Sequence, residues 1–219
     1  MDIGLGHAPG KVLVLGIGNV LWADEGFGVR AVEAFDAAYA VGEDVTLMDG
    51  GTRGMALLPF IQDCDTLIIF DAVDFDLAAG TVHVLAGADV PAFLGAKKMS
   101  LHQTGFQEVL ALAELTGEAP ANLVLIGVQP DLLDDYGGGL TRTVAARIPQ
   151  AVEIAARILS GAGVALQARA EPEPVVAGPA DGGRLGPSAL ERGRYEGERP
   201  SAEDACRIGD SRFLTMRGA

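Results

Sequence analysis

The chain has 219 residues, 49% of them hydrophobic, which suffices for one ordinary core and is too short for two comfortable domains. Its formal net charge of −14 speaks against nucleic acid as a partner, because nucleic-acid binders gather Lys and Arg on the binding face. Two cysteines, Cys64 and Cys206, without CxxC spacing, suggest neither a disulfide framework nor a thiolate zinc site.

Met1 to Lys11 lacks a basic segment followed by an apolar one, and no apolar run approaches bilayer-spanning length, so the expectation is a cytoplasmic protein with no membrane partner. The run from Lys11 to Ile17 is apolar on both faces, as a buried parallel strand is. A helix is predicted from about Glu25, with Phe27, Ala31, Ala34, Phe35 and Ala38 at helical spacing. Val45 to Met48 reads as a second strand, and Met55, Leu57 and Leu58 sit on a short helix after Gly50-Gly51. Thr66 to Phe70 is a third strand, ending at Asp71 and opened by Cys64, which packs as a small hydrophobe. Thr81 to Leu85 gives a fourth strand. Thr104-Gly-Phe-Gln107 matches a capping box, so a helix is expected to start there and stop at Gly117, leaving His102 in the preceding loop. Leu123 to Val128 is a fifth strand, and Val144, Ile148, Val152, Ala155 and Leu159 mark a long final helix that Pro149 should kink.

From Ser160 onward the texture becomes Ala, Gly, Pro, Glu and Arg without a period, and this segment holds half of the basic residues but under a third of the acidic ones. Residues 160–219 therefore read as a nearly neutral, flexible extension behind a domain spanning 1–159. The βαβ alternation of that domain implies an α/β fold in three layers, a mainly parallel twisted sheet of about five strands with helices on both faces. The site of such a sheet lies at the carboxyl ends of its strands.

Glu25, Asp71 and His102 fall on that edge. Two hard oxygens and one imidazole nitrogen suit a divalent first-row metal and leave positions open for water or substrate. Each has a plainer reading: an acid in the first turn of a helix is favoured by the macrodipole alone, and His102, like His7 and His83, is by itself an unremarked histidine. Asp71 is harder to dismiss, because an acid closing an apolar run is desolvated unless something cationic meets it.

The strings are more specific. Gly16-Ile-Gly-Asn-Val-Leu-Trp-Ala-Asp-Glu-Gly-Phe-Gly-Val-Arg30 closely resembles the opening motif of hydrogenase maturation endopeptidases. Asp49-Gly-Gly-Thr52 with Met55 and Leu58, Leu67-Ile-Ile-Phe-Asp-Ala72, Ser100-Leu-His-Gln103 and Leu125-Ile-Gly-Val-Gln-Pro130 resemble that family's later blocks, in the same order. The resemblance spans residues 11 to 159, and five ordered blocks are a far stronger signal than any one. It implies an endopeptidase that removes a C-terminal peptide from the large-subunit precursor of a nickel-iron hydrogenase once nickel is inserted. The metal contacts it implies are Glu25, Asp71 and His102, with nickel carried by the precursor and other divalent metals able to take its place. Asp49, Gly50, Gly51 and Thr52 are assigned to substrate recognition or loop shape. Cleavage by polarisation of the scissile carbonyl and cleavage by an activated water, with one carboxylate as general base, both stay open. No HExxH pair, GxSxG elbow or Cys-His couple supports another protease class.

Three other readings compete. An aspartic dyad would need Asp49 to share a proton with a second acid. A dinucleotide-binding module would use Gly16-x-Gly18 with Asp49 as the ribose acid, but Leu21 stands where the third glycine belongs. A non-catalytic nickel-delivery factor could use the same three ligands, although only three histidines occur in the chain.

Overall fold

A computed structural model describes residues 5–96, 101–137 and 139–169, without the side chains of 93–104. The β-branched run predicted as the first strand forms β1 (Val12–Ile17), buried at every position, an interior strand of a five-stranded sheet. Its parallel neighbours are β3 (Val45–Gly51) on one side and β4 (Thr66–Ala72) on the other, with β6 (Asn122–Val128) parallel beyond β4. The outer strand, β5 (Val82–Ala86), runs antiparallel to β6, giving the order β3-β1-β4-β6-β5. The link from Ala72 to Val82 contains no helix, and a parallel return needs a crossover of about a dozen residues or more.

Period-two alternation divides the core between the two faces of this sheet. Val12, Val14, Ile68, Phe70 and Ile126 pack under α1 (Phe27–Ala38) and α6 (Ile148–Gly161). Leu13, Leu15, Ile69 and Leu125 face the other way, toward Ile61 of α2 (Leu58–Gln62), Val90 of α3 (Asp89–Ala96) and Phe106 and Val109 of α4 (Leu101–Thr116). Three layers with helices on both faces are the expected α/β architecture. Cys64 packs beside this second core with its Sγ 3.3 Å from the Ile61 carbonyl. Burial, then Asp65 and Asp63, push its thiol up to about 12, so it is neutral at physiological pH.

The structure departs from the sequence expectation in several places. Helix α4 begins at Leu101, so His102 lies in its first turn and Thr104 is inside the helix, where the capping box had put its start. Packing overrides the local signal: an added Cβ at Gly105 would lie 3.8 Å from the Gly54 Cα, and the neighbouring Phe106 is 2% exposed. The far end agrees, since α4 stops at Thr116 and Gly117 takes φ +75. Pro149 does not kink a long helix. It occupies the first turn of α6, where its missing N–H is no loss, and α5 (Arg142–Ala145) precedes it as a separate turn.

An element unseen in the sequence is a two-stranded antiparallel sheet of β2 (Tyr39–Val41) and β7 (Leu166–Ala168). Helix α6 runs to Gly161 and β7 follows, with the Arg169 Nε donating to the Asp36 carbonyl at 3.0 Å. The folded unit thus reaches Arg169, beyond the boundary drawn at 159. The extension from residue 170 to 219 lies outside the described residues.

Candidate active site

The parallel strands β1, β3, β4 and β6 all end at one sheet edge, where their loops gather. The loop after β1 folds tightly onto itself. Asn19 N–H donates to the Glu25 carbonyl (3.1 Å), Leu21 N–H to the Asn19 Oδ1 (3.0 Å) and Trp22 N–H to the Asn19 carbonyl (3.1 Å). Gly18 takes φ +134, and a Cβ there would meet the Glu25 carbonyl oxygen at 1.9 Å. The Glu25 backbone therefore stands against Gly18, where any side chain would clash with it.

A 3-10 turn, Ala23–Gly26, carries two adjacent acids with different fates. Asp24 is wholly buried, and its carboxylate accepts hydrogen bonds from Asp131 N–H (3.0 Å), Leu132 N–H (2.9 Å), Thr141 N–H (2.7 Å) and the Thr141 hydroxyl (3.1 Å). It clasps the loop after β6 to the loop after β1. Ala23, just before it, is held at φ 35 although it is not glycine. The sequence signal for Asp24 was present in the Asp-Glu pair, but residue type does not tell which acid turns inward. Glu25 is only partly buried. Burial first, and then the nearby Asp134 carboxylate, raise the pKa of its carboxyl above the ordinary glutamate value.

Gly28, the second residue of α1, fixes where this motif sits. An added Cβ would stand 2.1 Å from the Phe70 carbonyl oxygen and 2.2 Å from that of Ile17, so the helix start rests directly on the ends of β4 and β1. The turn bearing Glu25 packs against β4 as a result. Asp71, the next residue after Phe70, is 0% exposed. Alternation along β4 gives it the face of Leu67, Ile69 and Val73, the face that α4 covers. Its partner across β6 is Gly127, whose missing side chain makes room for the Phe75 ring, 2.5 Å from where a Cβ would be. The loop carrying Phe75 is pinned by Gln129, whose Oε1 accepts from Phe75 N–H (2.7 Å) and Leu77 N–H (3.2 Å) and whose Nε2 donates to Asp74 (3.0 Å).

His102 belongs to the first turn of α4, and that helix packs on the turn Gly54–Leu57, just beyond the end of β3. Its side chain lies outside the described residues, and among the described residues no group of three His, Cys, Asp or Glu is arranged to hold a metal. His83 lies on β5, in register with Gly127, and packs edge to face at 5.0 Å on Phe75 of the loop after β4.

Asp49 pairs with Gly16 in the register of β3 against β1, beside Val14↔Leu47, and so faces α1. Asp71 faces the opposite side of the sheet, so it is not the second acid that a dyad with Asp49 would need. Burial pushes the Asp49 carboxyl above its ordinary value, while Arg53, the Gly51 N–H and Arg30 pull it back down. Gly50 packs against Leu15, and a register shift between Gly16 and Ile17 accompanies the two glycines. Thr52 is exposed, as is Arg53 after it.

The sequence pattern described as hydrogenase maturation protease matches residues 29–158. A hydrogenase expression/formation protein, HupM, of Azotobacter chroococcum mcd 1 is 50% identical over 213 residues, covering 97% of each chain. The alignment with this relative therefore takes in most of the C-terminal extension. The hydrogenase 2 maturation protease of Escherichia coli K12 is 44% identical over 155 residues, 70% of this chain and 93% of that protein. Among solved structures, the hydrogenase maturating endopeptidase HybD of E. coli superposes with a TM-score of 0.69 at 42% identity, covering 73% of this chain and 98% of that one.

Proposed function

The chain belongs to the hydrogenase maturation protease family, and from that footing we propose that its endopeptidase activity depends on nickel carried by the large-subunit precursor and gripped by Glu25, Asp71 and His102. Processing of the hydrogenase large subunit is the family's function, and the bond cut here releases a C-terminal peptide. The observation that supports the site is the seating of the Glu25 turn on β4, the strand that ends in the wholly buried Asp71.

The donor set fits the ion: two carboxylates in partly or fully dry surroundings gain from a divalent cation, and an imidazole completes a borderline set. With three donors from the protease, the remaining positions stay with the precursor, so binding reports that the metal has been loaded. Bound nickel supplies Lewis acidity toward the scissile carbonyl. One carboxylate of the pair serves as general base. It takes a proton from the attacking water as the C–O bond forms and returns it to the departing amine as the C–N bond breaks. Processing during assembly belongs in the cytoplasm, and no helix among the described residues is long and apolar enough to cross a membrane.

The test mixes purified protein with precursor, with and without nickel, and follows precursor mass. Shortening is expected only with nickel-loaded precursor, which also separates a protease from a nickel-delivery factor. Glu25→Gln, Asp71→Asn and His102→Ala should each lose about 100-fold or more in rate with the fold intact by circular dichroism. Full activity in the Asp71 and His102 variants would refute the ligand set.

A further inference from the structure

Two strands of the five-stranded sheet, β3 and β5, have a neighbour on one side only. The parallel ladder between β1 and β3 uses alternate residues of β3. Val12 N–H donates to the Asp44 carbonyl at 2.8 Å, so the N–H and C=O groups of Thr46 and Met48 turn toward β1. Those of Leu47, and the Asp49 N–H, turn the other way, and among the described residues no strand pairs with them. Thr46 is exposed and Leu47, Met48 and Asp49 are half-buried, whereas every residue of the interior strand β1 is buried. An open edge of this kind is a template for another chain, and proteins commonly blunt it with Pro or Lys. Val45–Gly51 contains neither.

We propose that the free edge of β3 receives the precursor's C-terminal peptide as an added antiparallel strand, running from the cut toward Val45. The identity of the occupant rests on the protease reading above. The edge is continuous with the site on two sides: Gly18 N–H, in the Glu25 loop, donates to the Gly51 carbonyl at 3.0 Å, and α4, which carries His102, packs on the turn Gly54–Leu57. Neighbouring strands lie about 4.8 Å apart, so a strand outside β3 stands roughly 10 Å from the end of β1, a gap that about three extended residues cross. Gly51 leaves that path open, since a Cβ there would meet nothing closer than 3.4 Å. Main-chain bonds to the edge supply affinity, and side chains set the register. Leu47 packs on the core under α1 and Met48 on the opposite core, so the peptide residues beside them are apolar on both faces. A second copy of this chain is a poor occupant, because it repeats a net charge of −14.

Amide exchange of the full chain with nickel-free precursor reads docking whether or not cleavage follows. Leu47 and Asp49 N–H should exchange about tenfold more slowly in the complex, while Thr46 and Met48, already bonded to β1, stay unchanged. A synthetic copy of the C-terminal peptide should compete with the precursor. N-methylation at one alternate set of its residues should weaken that competition about tenfold and at the other set should not, a pattern that strand pairing produces and a side-chain seat does not. Leu47→Pro removes the outward N–H and spares the ladder to β1, so it should raise the Kd for precursor about tenfold with folding retained by circular dichroism. Unchanged exchange at Leu47 and Asp49 with precursor bound, absence of binding, or equal effects of the two methylated sets would overturn the proposal. So would sedimentation showing a dimer of this chain that Leu47→Pro dissociates, because the edge would then be a self-interface. Protection at Leu47 without shortening of nickel-loaded precursor would instead sink the protease reading and leave the docking edge standing.

Discussion

Gly28→Ala tests whether the sheet ends set the position of the Glu25 turn. In an exposed helix alanine would gain about 1 kcal/mol over glycine from propensity alone. Here the new methyl carbon would stand 2.1 Å from the Phe70 carbonyl oxygen and 2.2 Å from that of Ile17, against an ordinary contact of 3.4–4 Å. Both obstacles are backbone atoms of buried strands, so neither can rotate aside, and the start of α1 must lift by roughly 1 Å. Overpacking of this kind costs about 3 kcal/mol, which leaves a net loss of about 2 kcal/mol after the helix gain. Urea unfolding should show a midpoint lower by roughly 1 M with the slope unchanged. The same displacement carries the Glu25 turn away from Asp71, and a shift of that size costs about 100-fold in rate. Gly117→Ala is the matched control: its φ of +75 penalises alanine by about 1 kcal/mol, nothing lies within 4 Å, and α4 ends there, so cleavage should be unaffected. A Gly28→Ala protein as stable and as active as the parent would refute the reasoning.

Asp24→Ala should destabilise by about 3 kcal/mol, because it strips the acceptor from three backbone N–H groups and one hydroxyl in a buried clasp. Amide exchange at Asp131, Leu132 and Thr141 would accelerate, and unchanged protection there would count against the clasp. Glu25→Gln is expected to stabilise the protein while removing activity. A carboxyl whose folded pKa lies above its ordinary 4.5 contributes stability that is complete below that value and lost as pH rises through the folded pKa. At pH 7 the charged form is the less comfortable one in the fold, so glutamine should raise Tm by about 1–3 °C, and the advantage should fade toward pH 4. A lower Tm for Glu25→Gln at pH 7 would contradict the effect assigned to burial and to the Asp134 charge.

The fold was legible where hydrophobic runs are long. β1, β4 and β6 are apolar on both faces, and their parallel order follows from the helices between them. The short pieces were not legible. β2 and β7 are three residues each, and their pairing joins segments far apart in the chain, which no local pattern encodes. The start of α4 was misplaced because the local cap at Thr104 competes with packing of Gly105 and Phe106, and packing wins. Pro149 was misread for the opposite reason: its chemistry was understood, but its position within the helix decides whether it breaks or begins one.

Around the candidate site, residue type and spacing do not give the division of labour among neighbouring acids. Asp24 and Glu25 are adjacent and chemically alike, and what separates them is the direction each faces. One meets four donors from the loop after β6, and the other sits beside the Asp134 carboxylate. The same loop therefore holds the turn in place through Asp24 and raises the proton affinity of Glu25 through Asp134.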